Sequence, residues 1–115
     1  MIDETAEEIA DMQTHSSSVV AVKAARALRE LTEQEFPTVA EYRRALERNS
    51  RALRRANPSH ASLHNTQQEI IETVESAELD TVERAQEITE EAIERVVGQV
   101  EASKQRAAEA AVDLL

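Results

Sequence analysis

The feature that most constrains this chain is its near lack of turn-forming residues, with one glycine and two prolines among 115 residues. Two-residue β-hairpins depend on glycine or asparagine at positions of positive φ, so a sheet joined by tight hairpins has almost no material here. Alanine, the residue with the highest helix propensity, occurs 19 times. There is one Phe, one Tyr and no Trp. The sequence therefore predicts an all-α protein whose core consists mainly of small aliphatic side chains.

The charge of the chain is strongly negative. It carries 23 acidic and 13 basic residues, a net charge of −10, and eleven of the bases are arginine. Such a surface repels nucleic acid and anionic membranes as a whole, so we expect neither as a partner. A composition rich in acids and poor in lysine and aromatics indicates adaptation to high salt, as in a halophilic, archaeal protein. An ordinary acidic helical domain is the alternative.

Several classes of protein are excluded by what the sequence lacks. Without Cys, the chain has no disulfide, no thiolate metal ligand and no cysteine nucleophile. No stretch approaches the ~20 apolar residues of a membrane span. The N-terminal residues are acidic, the opposite of a signal or transit peptide. We expect a cytoplasmic protein with a single helical domain over residues 1–115.

Apolar residues recur every three to four positions in five segments, separated by polar runs and prolines. We predict a compact bundle of about five helices with a long C-terminal helix. The predicted helices cover residues 3–13, 18–35, 38–56, 59–77 and 81–114. Asp3 is the expected cap of the first, Thr38 and Glu41 form a capping box for the third, and Asp80 and Glu83 are a cap pair for the last. Gly98 predicts a kink or a close packing contact in the last helix, at a cost of about 1 kcal/mol relative to Ala.

A polar run precedes the second predicted helix. Backbone N–H groups at a helix start, together with the helix dipole, can bind a phosphate or a carboxylate. Simple capping by a serine hydroxyl explains the same pattern. The candidate anion-binding residues are His15, Ser16, Ser17 and Ser18.

Six arginines are concentrated between positions 43 and 55, and four of them share one helical face: Arg44, Arg48, Arg51 and Arg55. Guanidinium groups bind phosphate and carboxylate in bidentate fashion, so this face suits a sugar phosphate, an RNA backbone or an acidic partner. The absence of aromatic residues beside the arginines argues against RNA. Alternatively, the arginines pair with acids of the same chain, such as Glu47 or the acidic first helix.

The remaining candidate sites are weaker. His60 and His64 have a spacing that can hold one metal ion, but no third ligand is evident, and surface or half-buried histidines are the simpler interpretation. No P-loop, dinucleotide fingerprint or nucleophile elbow is present. We therefore expect no metal, no cofactor and no catalytic residue in this chain.

Three stretches, taken in order, resemble a single family. They are IADMQTHSSS with VVAVKAA (residues 9–25), LRRANPSHASL (residues 53–63), and ITEEAI (residues 88–93) leading into a helix that ends in AAVDLL. The pattern is similar to the helical N-terminal domain of the translation initiation factor 2B alpha, beta and delta family. That family also contains archaeal ribose-1,5-bisphosphate isomerase and methylthioribose-1-phosphate isomerase.

The resemblance implies a Rossmann-like second domain, which carries the catalytic Cys and Asp of the isomerases. The chain ends about where the first strand of that domain is expected, so we expect this chain alone not to be an enzyme.

The isomerases usually have the sequences Arg-Gly-Ala-Gly and Arg-Pro-Thr where this chain has His15 to Ser18 and Asn57 to Ser59. The two missing arginines favour a factor-like domain that binds initiation factor 2 or related subunits. The alternative is the substrate-covering N-terminal half of a sugar-phosphate isomerase. An apolar stripe on the last helix also predicts self-association in the absence of the second domain.

Adaptation to salt can be tested on this chain directly. We expect its helix content, measured by circular dichroism, to rise between low and molar salt, because salt screens the repulsion among the excess carboxylates. A chain already fully helical at low salt would contradict the prediction.

Overall fold

The computed structural model describes residues 2–11, 17–57 and 60–113. These residues form helices and no strand, which confirms the predicted all-α fold. Five helices have ten residues or more, and one segment of four residues lies between the second and third of them. The elements are α1 (Ile2–Asp11), α2 (Ser17–Ala27), α3 (Arg29–Thr32), α4 (Val39–Ala56), α5 (Ala61–Ser76) and α6 (Val82–Asp113).

The core forms where α2, α5 and α6 meet, and α4 packs on α1 and α5 beside it. The apolar stripes predicted from the sequence face inward. Their fully buried side chains are Val20, Leu28, Tyr42, Leu46, Leu53, Leu63, Ile70, Val74 and Val96. Ile93 of α6 is fully buried as well.

Helix α6 extends beyond the bundle. Its 32 residues correspond to about 48 Å of helix, and the longest dimension of the molecule is 55 Å. The radius of gyration is 15.1 Å, whereas a spherical domain of this length has about 13 Å. Between Val97 and Ser103 no side chain is fully buried. The predicted long C-terminal helix is therefore confirmed, and its described distal part lies at the edge of the core.

The second predicted helix is divided and shorter than expected. At Leu28 the backbone bonds tighten: Leu28 N donates to Ala25 O at 3.2 Å and Leu31 N donates to Leu28 O at 3.1 Å. These bonds span three residues instead of four, which is the 3₁₀ pattern. The helix then ends at Thr32 instead of residue 35, because Gln86 Nε2 of α6 donates to Leu31 O at 3.2 Å and Gln34 O at 2.6 Å. A side chain from another helix thus satisfies the terminal carbonyls.

The predicted caps are correct in one case and wrong in two. Thr38 Oγ1 accepts from Glu41 N at 3.1 Å and caps α4 as expected. Helix α6 is capped by Thr81, whose Oγ1 accepts from Arg84 N at 3.1 Å, and not by Asp80. Helix α1 already begins at Ile2, so Asp3 lies inside its first turn.

Gly98 marks neither an interruption nor a close contact. Helix α6 is continuous through this position, and a Cβ built there would meet no atom of the described residues within 4 Å outside the helix itself. The predicted packing contact is wrong.

One buried hydrogen-bonded relay joins α4 to α6. Tyr42 Oη donates to Thr89 Oγ1 at 2.6 Å, and Thr89 Oγ1 donates to Ala85 O at 2.8 Å. Phe36 packs edge-on against the Tyr42 ring, with 5.2 Å between centroids. Burial of the hydroxyl raises the pKa of Tyr42 above its ordinary value of 10.0; the bond to Thr89 opposes the rise, and the charge of Glu90 adds to it.

Tyr42 therefore predicts a pH dependence of stability. At pH values between the ordinary pKa of Tyr42 and the raised one, the folded state keeps the phenolic proton that the unfolded state loses. The contribution of Tyr42 to the stability of the fold is therefore present below pH 10 and is lost as the pH rises above it. We expect urea unfolding at constant salt to show an alkaline loss of stability that is smaller in Tyr42→Phe. The same variant should lose about 1 kcal/mol at neutral pH through the missing hydrogen bond. Equal alkaline losses in the two proteins would contradict the assignment.

Candidate anion-binding surface

Helix α4 carries two opposite faces. Its inward face consists of Tyr42, Ala45, Leu46, Ser50 and Leu53, all buried. The four arginines predicted to share a face lie outward and are exposed; we call them the arginine face: Arg44, Arg48, Arg51 and Arg55. Arg44 and Arg55 are eleven positions apart, or about 16 Å along the helix axis. The predicted stripe of arginines is thus present on the surface of the structure.

The other two arginines of α4 have different surroundings. Arg43 Nη2 donates to Ala77 O at 3.0 Å and ties α4 to the end of α5. Arg54 is more buried than Arg51, with 24% of its side chain exposed against 56%. Arg43 therefore joins helices, whereas Arg54 lies at the edge of the arginine face.

Few carboxylates neutralise α4. The helix contains six arginines and two glutamates, a net charge of +4 in a chain of −10. Glu47 Oε1 lies 3.1 Å from Arg51 Nη2 and 3.8 Å from Arg54 Nη2. Among the described residues, Arg48 and Arg55 form no ion pair. Pairing within the chain therefore accounts for part of the face only.

Of the acids of α1 whose side chains the structure describes, Glu8 forms an ion pair with Lys23 of α2, at 2.5 Å. No ion pair joins Glu4, Glu7 or Glu8 to the arginine face. The alternative in which α1 pairs with the arginines is therefore not seen for these three carboxylates.

Arginines outside α4 are used differently, because Arg26, Arg29 and Arg95 join α6 to neighbouring helices. Arg29 contacts Glu90 and Glu94 of α6, and Arg26 lies 3.6 Å from Glu101. Arg95 of α6 lies 3.7 Å from Glu69 of α5. These contacts place cations against the carboxylates of neighbouring helices and leave α4 as the helix with the largest excess of positive charge.

A depression of about 360 Å³ opens between α4 and α5 at one end of the arginine face. We call it the arginine depression; it is lined by Glu47, Arg51, Arg54, Arg55 and His64. His64 Nε2 and Arg54 Nε are buried and have no hydrogen-bond partner in the described part of the chain. The depression thus brings three guanidinium groups together with a single carboxylate.

The polar run before α2 is described only in part. His15 and Ser16 lie outside the described residues, and Ser17 is the first residue of α2. Ser18 lines a second depression of about 410 Å³ between α2 and α6, together with Val19, Val22, Lys23, Arg26, Val100 and Glu101. The two depressions share no residue, so the structure does not join these predicted anion-binding groups into one site.

The structure places both histidines of the predicted metal spacing near the start of α5. His60 precedes α5 at its N-cap position, and His64 lies one turn later. Within residues 2–11, 17–57 and 60–113, no group of three or more His, Cys, Asp or Glu side chains could hold a metal ion. His64 instead lines the arginine depression, a role that the sequence interpretation missed because it depends on how α4 packs on α5.

Comparison with known families gives one match. The model of the initiation factor 2 subunit family matches residues 13–115, which is nearly the whole chain. The chain is therefore a member of the initiation factor 2B alpha, beta and delta family, as the resemblance implied. Neither the comparison with curated proteins nor that with solved structures gives a match.

Membership leaves two kinds of activity open, because the family includes non-enzymes as well as isomerases. The role of the chain therefore depends on what its own surface can bind.

In the part of the chain that the structure describes, no helix is long and apolar enough to span a membrane.

Proposed function

We propose that this chain is the non-catalytic N-terminal helical domain of an initiation factor 2B-like protein, a single domain over residues 1–115. In this proposal it acts in the cytoplasm by binding protein partners, either initiation factor 2 or related subunits. The observation that carries the proposal is the arginine face of α4, which is exposed and largely unneutralised in an acidic protein.

The chemistry of this face favours a protein partner. Arginine is enriched at protein interfaces, because its guanidinium both packs and forms bidentate bonds with carboxylates. The excess positive charge on α4 supplies local attraction for an acidic surface. Subunit complexes are also the way in which members of this family work.

Nucleic acid fits the same face poorly. The chain outside α4 is even more negative than the net −10, so its field repels a polyanion. Both aromatic rings are occupied, since Phe36 and Tyr42 pack against each other. The arginine face consequently offers no ring on which a base could stack.

The proposal predicts retention of this chain by immobilised initiation factor 2 at moderate salt. Reversing two charges in Arg48→Glu/Arg55→Glu should weaken binding by at least about tenfold, because repulsion replaces attraction at the interface. Arg84→Glu/Arg95→Glu is the matched control, since it makes the same charge change on α6. Circular dichroism would show whether the variants keep their helix content. No retention of the wild type at any salt concentration, or equal loss in both variants, would overturn the proposal.

The second depression favours a second candidate function, the substrate-covering N-terminal half of a ribose-1,5-bisphosphate isomerase-type enzyme. Ser18, near the start of α2, lines this depression together with Lys23 and Arg26 further along the helix. Backbone N–H groups near a helix start, and cations along the same depression, suit a phosphate group. Glu101 lies at 3.6 Å from Arg26 and opposes part of that charge.

This alternative predicts where inorganic phosphate binds. In an NMR titration, we expect amide shifts centred on Ser17, Ser18 and Val19, and a weaker response in Lys23→Gln. Glu101→Gln should strengthen the response, because it removes a competing carboxylate. Shifts confined to α4 and α5, or none at millimolar phosphate, would count against the isomerase interpretation.

A further inference from the structure

We infer that the arginine depression is a carboxylate-recognition site for an acidic segment of a protein partner, and that Glu47 occupies it as an internal competitor in the free domain. The inference rests on the proposed function in one respect: it assumes that a protein binds the arginine face. It goes beyond that function by naming the chemical group that is recognised, a carboxylate, and the residue that limits the affinity for the partner, Glu47.

The first observation is the geometry around Glu47. A single oxygen, Oε1, receives both contacts, from Arg51 Nη2 at 3.1 Å and Arg54 Nη2 at 3.8 Å. The shorter distance is a hydrogen bond, and the longer one is an electrostatic contact without a bond. The depression therefore already holds a carboxylate, but it does so with only one hydrogen bond.

The second observation is the charge left over. Three arginines line the depression against one carboxylate, which leaves a local charge of +2. Arg55 forms no ion pair with any described residue, and more than half of the Arg51 side chain is exposed. An arriving carboxylate can therefore bind Arg55 and the open side of Arg51 by fork-like, bidentate contacts.

The internal contact is weak enough to be displaced. Glu47 and Arg51 are one helical turn apart, with 35% and 56% of their side chains exposed. Exposed pairs at this spacing contribute only about 0.3–0.5 kcal/mol to stability. The affinity for a partner is consequently lowered by Glu47, although Glu47 does not block the site.

The spacing of the arginines favours carboxylates on a partner helix over a single phosphate group. Arg51 and Arg55 are four residues apart, the spacing at which acidic side chains follow one another on one face of a partner helix.

The experiment uses a synthetic helical peptide with glutamates at four-residue spacing, a matched peptide with glutamines instead, and inorganic phosphate. Binding is measured by isothermal titration or fluorescence anisotropy. We expect Glu47→Gln to bind the glutamate peptide about twofold more tightly than the wild type, the change expected when a competing exposed ion pair is removed. Arg55→Gln should bind it more weakly, and the glutamine peptide should not bind.

The control is Glu87→Gln. Glu87 also pairs with an arginine near it in sequence, Arg84 at 3.0 Å, so this variant changes the net charge equally and likewise frees an arginine. We expect its peptide affinity to equal that of the wild type. An equal gain in Glu47→Gln and Glu87→Gln would mean that net charge alone controls binding, and it would overturn the inference. So would phosphate binding more tightly than the peptide at α4, or an unchanged affinity in Arg55→Gln.

The two proposals fail in different ways. If initiation factor 2 retains the chain but Glu47→Gln changes neither peptide nor factor binding, the carboxylate site is wrong and the proposed function stands. If Glu47→Gln strengthens peptide binding while initiation factor 2 retains neither protein, the carboxylate site stands and the proposed partner is wrong.

Discussion

The packing of α6 across α2 and α5 is the contact on which the rest of the structure depends. The meeting surfaces contain small residues, including Ala21, Ala24 and Ala25 of α2 and Ala92 of α6, all essentially inaccessible to solvent. Small side chains let helices approach closely, which suits a core whose one fully buried aromatic side chain is Tyr42. Ile93 and Val96 of α6 supply the bulk between them. With α6 fixed in this way, α4 is held through the Tyr42–Thr89 bond and its contacts to α1 and α5.

Salt acts on this bundle in two opposite ways, and magnitudes decide between them. The ion pairs from Arg26, Arg29 and Arg95 to carboxylates of neighbouring helices are partly exposed, so each contributes about 1 kcal/mol or less and is weakened by salt. The excess of ten negative charges destabilises the compact state over the whole surface. Screening removes both effects, but the repulsion involves many more pairs of charges than the few attractive contacts. We therefore expect a net gain of stability with salt, whatever the habitat of the source.

Local signals in the sequence predicted the local structure well. The Thr38 cap, the apolar faces of α4 and α5 and the shared face of the four arginines depend on spacing within one helix, and the structure confirms each of them. The errors occur where a distant residue decides the outcome. Gln86 of α6 caps the carbonyls that end α3, and the sequence around residue 35 contains no sign of this. At the start of α6, two neighbouring residues were both able to cap, and Thr81 does so instead of Asp80.

The same distinction applies to the candidate site. The arginine face could be predicted because it repeats along one helix, whereas the arginine depression could not, since His64 comes from α5 and Arg54 is turned toward it by tertiary packing. Family membership adds little here, because a family that contains both isomerases and non-enzymes is compatible with either use of a cationic surface.

The two uses, binding a substrate and binding a protein partner, are distinguished by where the cations remain available. Arginines near α2 and α6 face carboxylates of their own chain, whereas the six on α4 share two glutamates. In a chain of net charge −10, neutralising α4 internally would have required only a few more acids on one helix. Leaving that helix positive costs little stability at high salt, and it concentrates the attraction for acidic ligands on one surface.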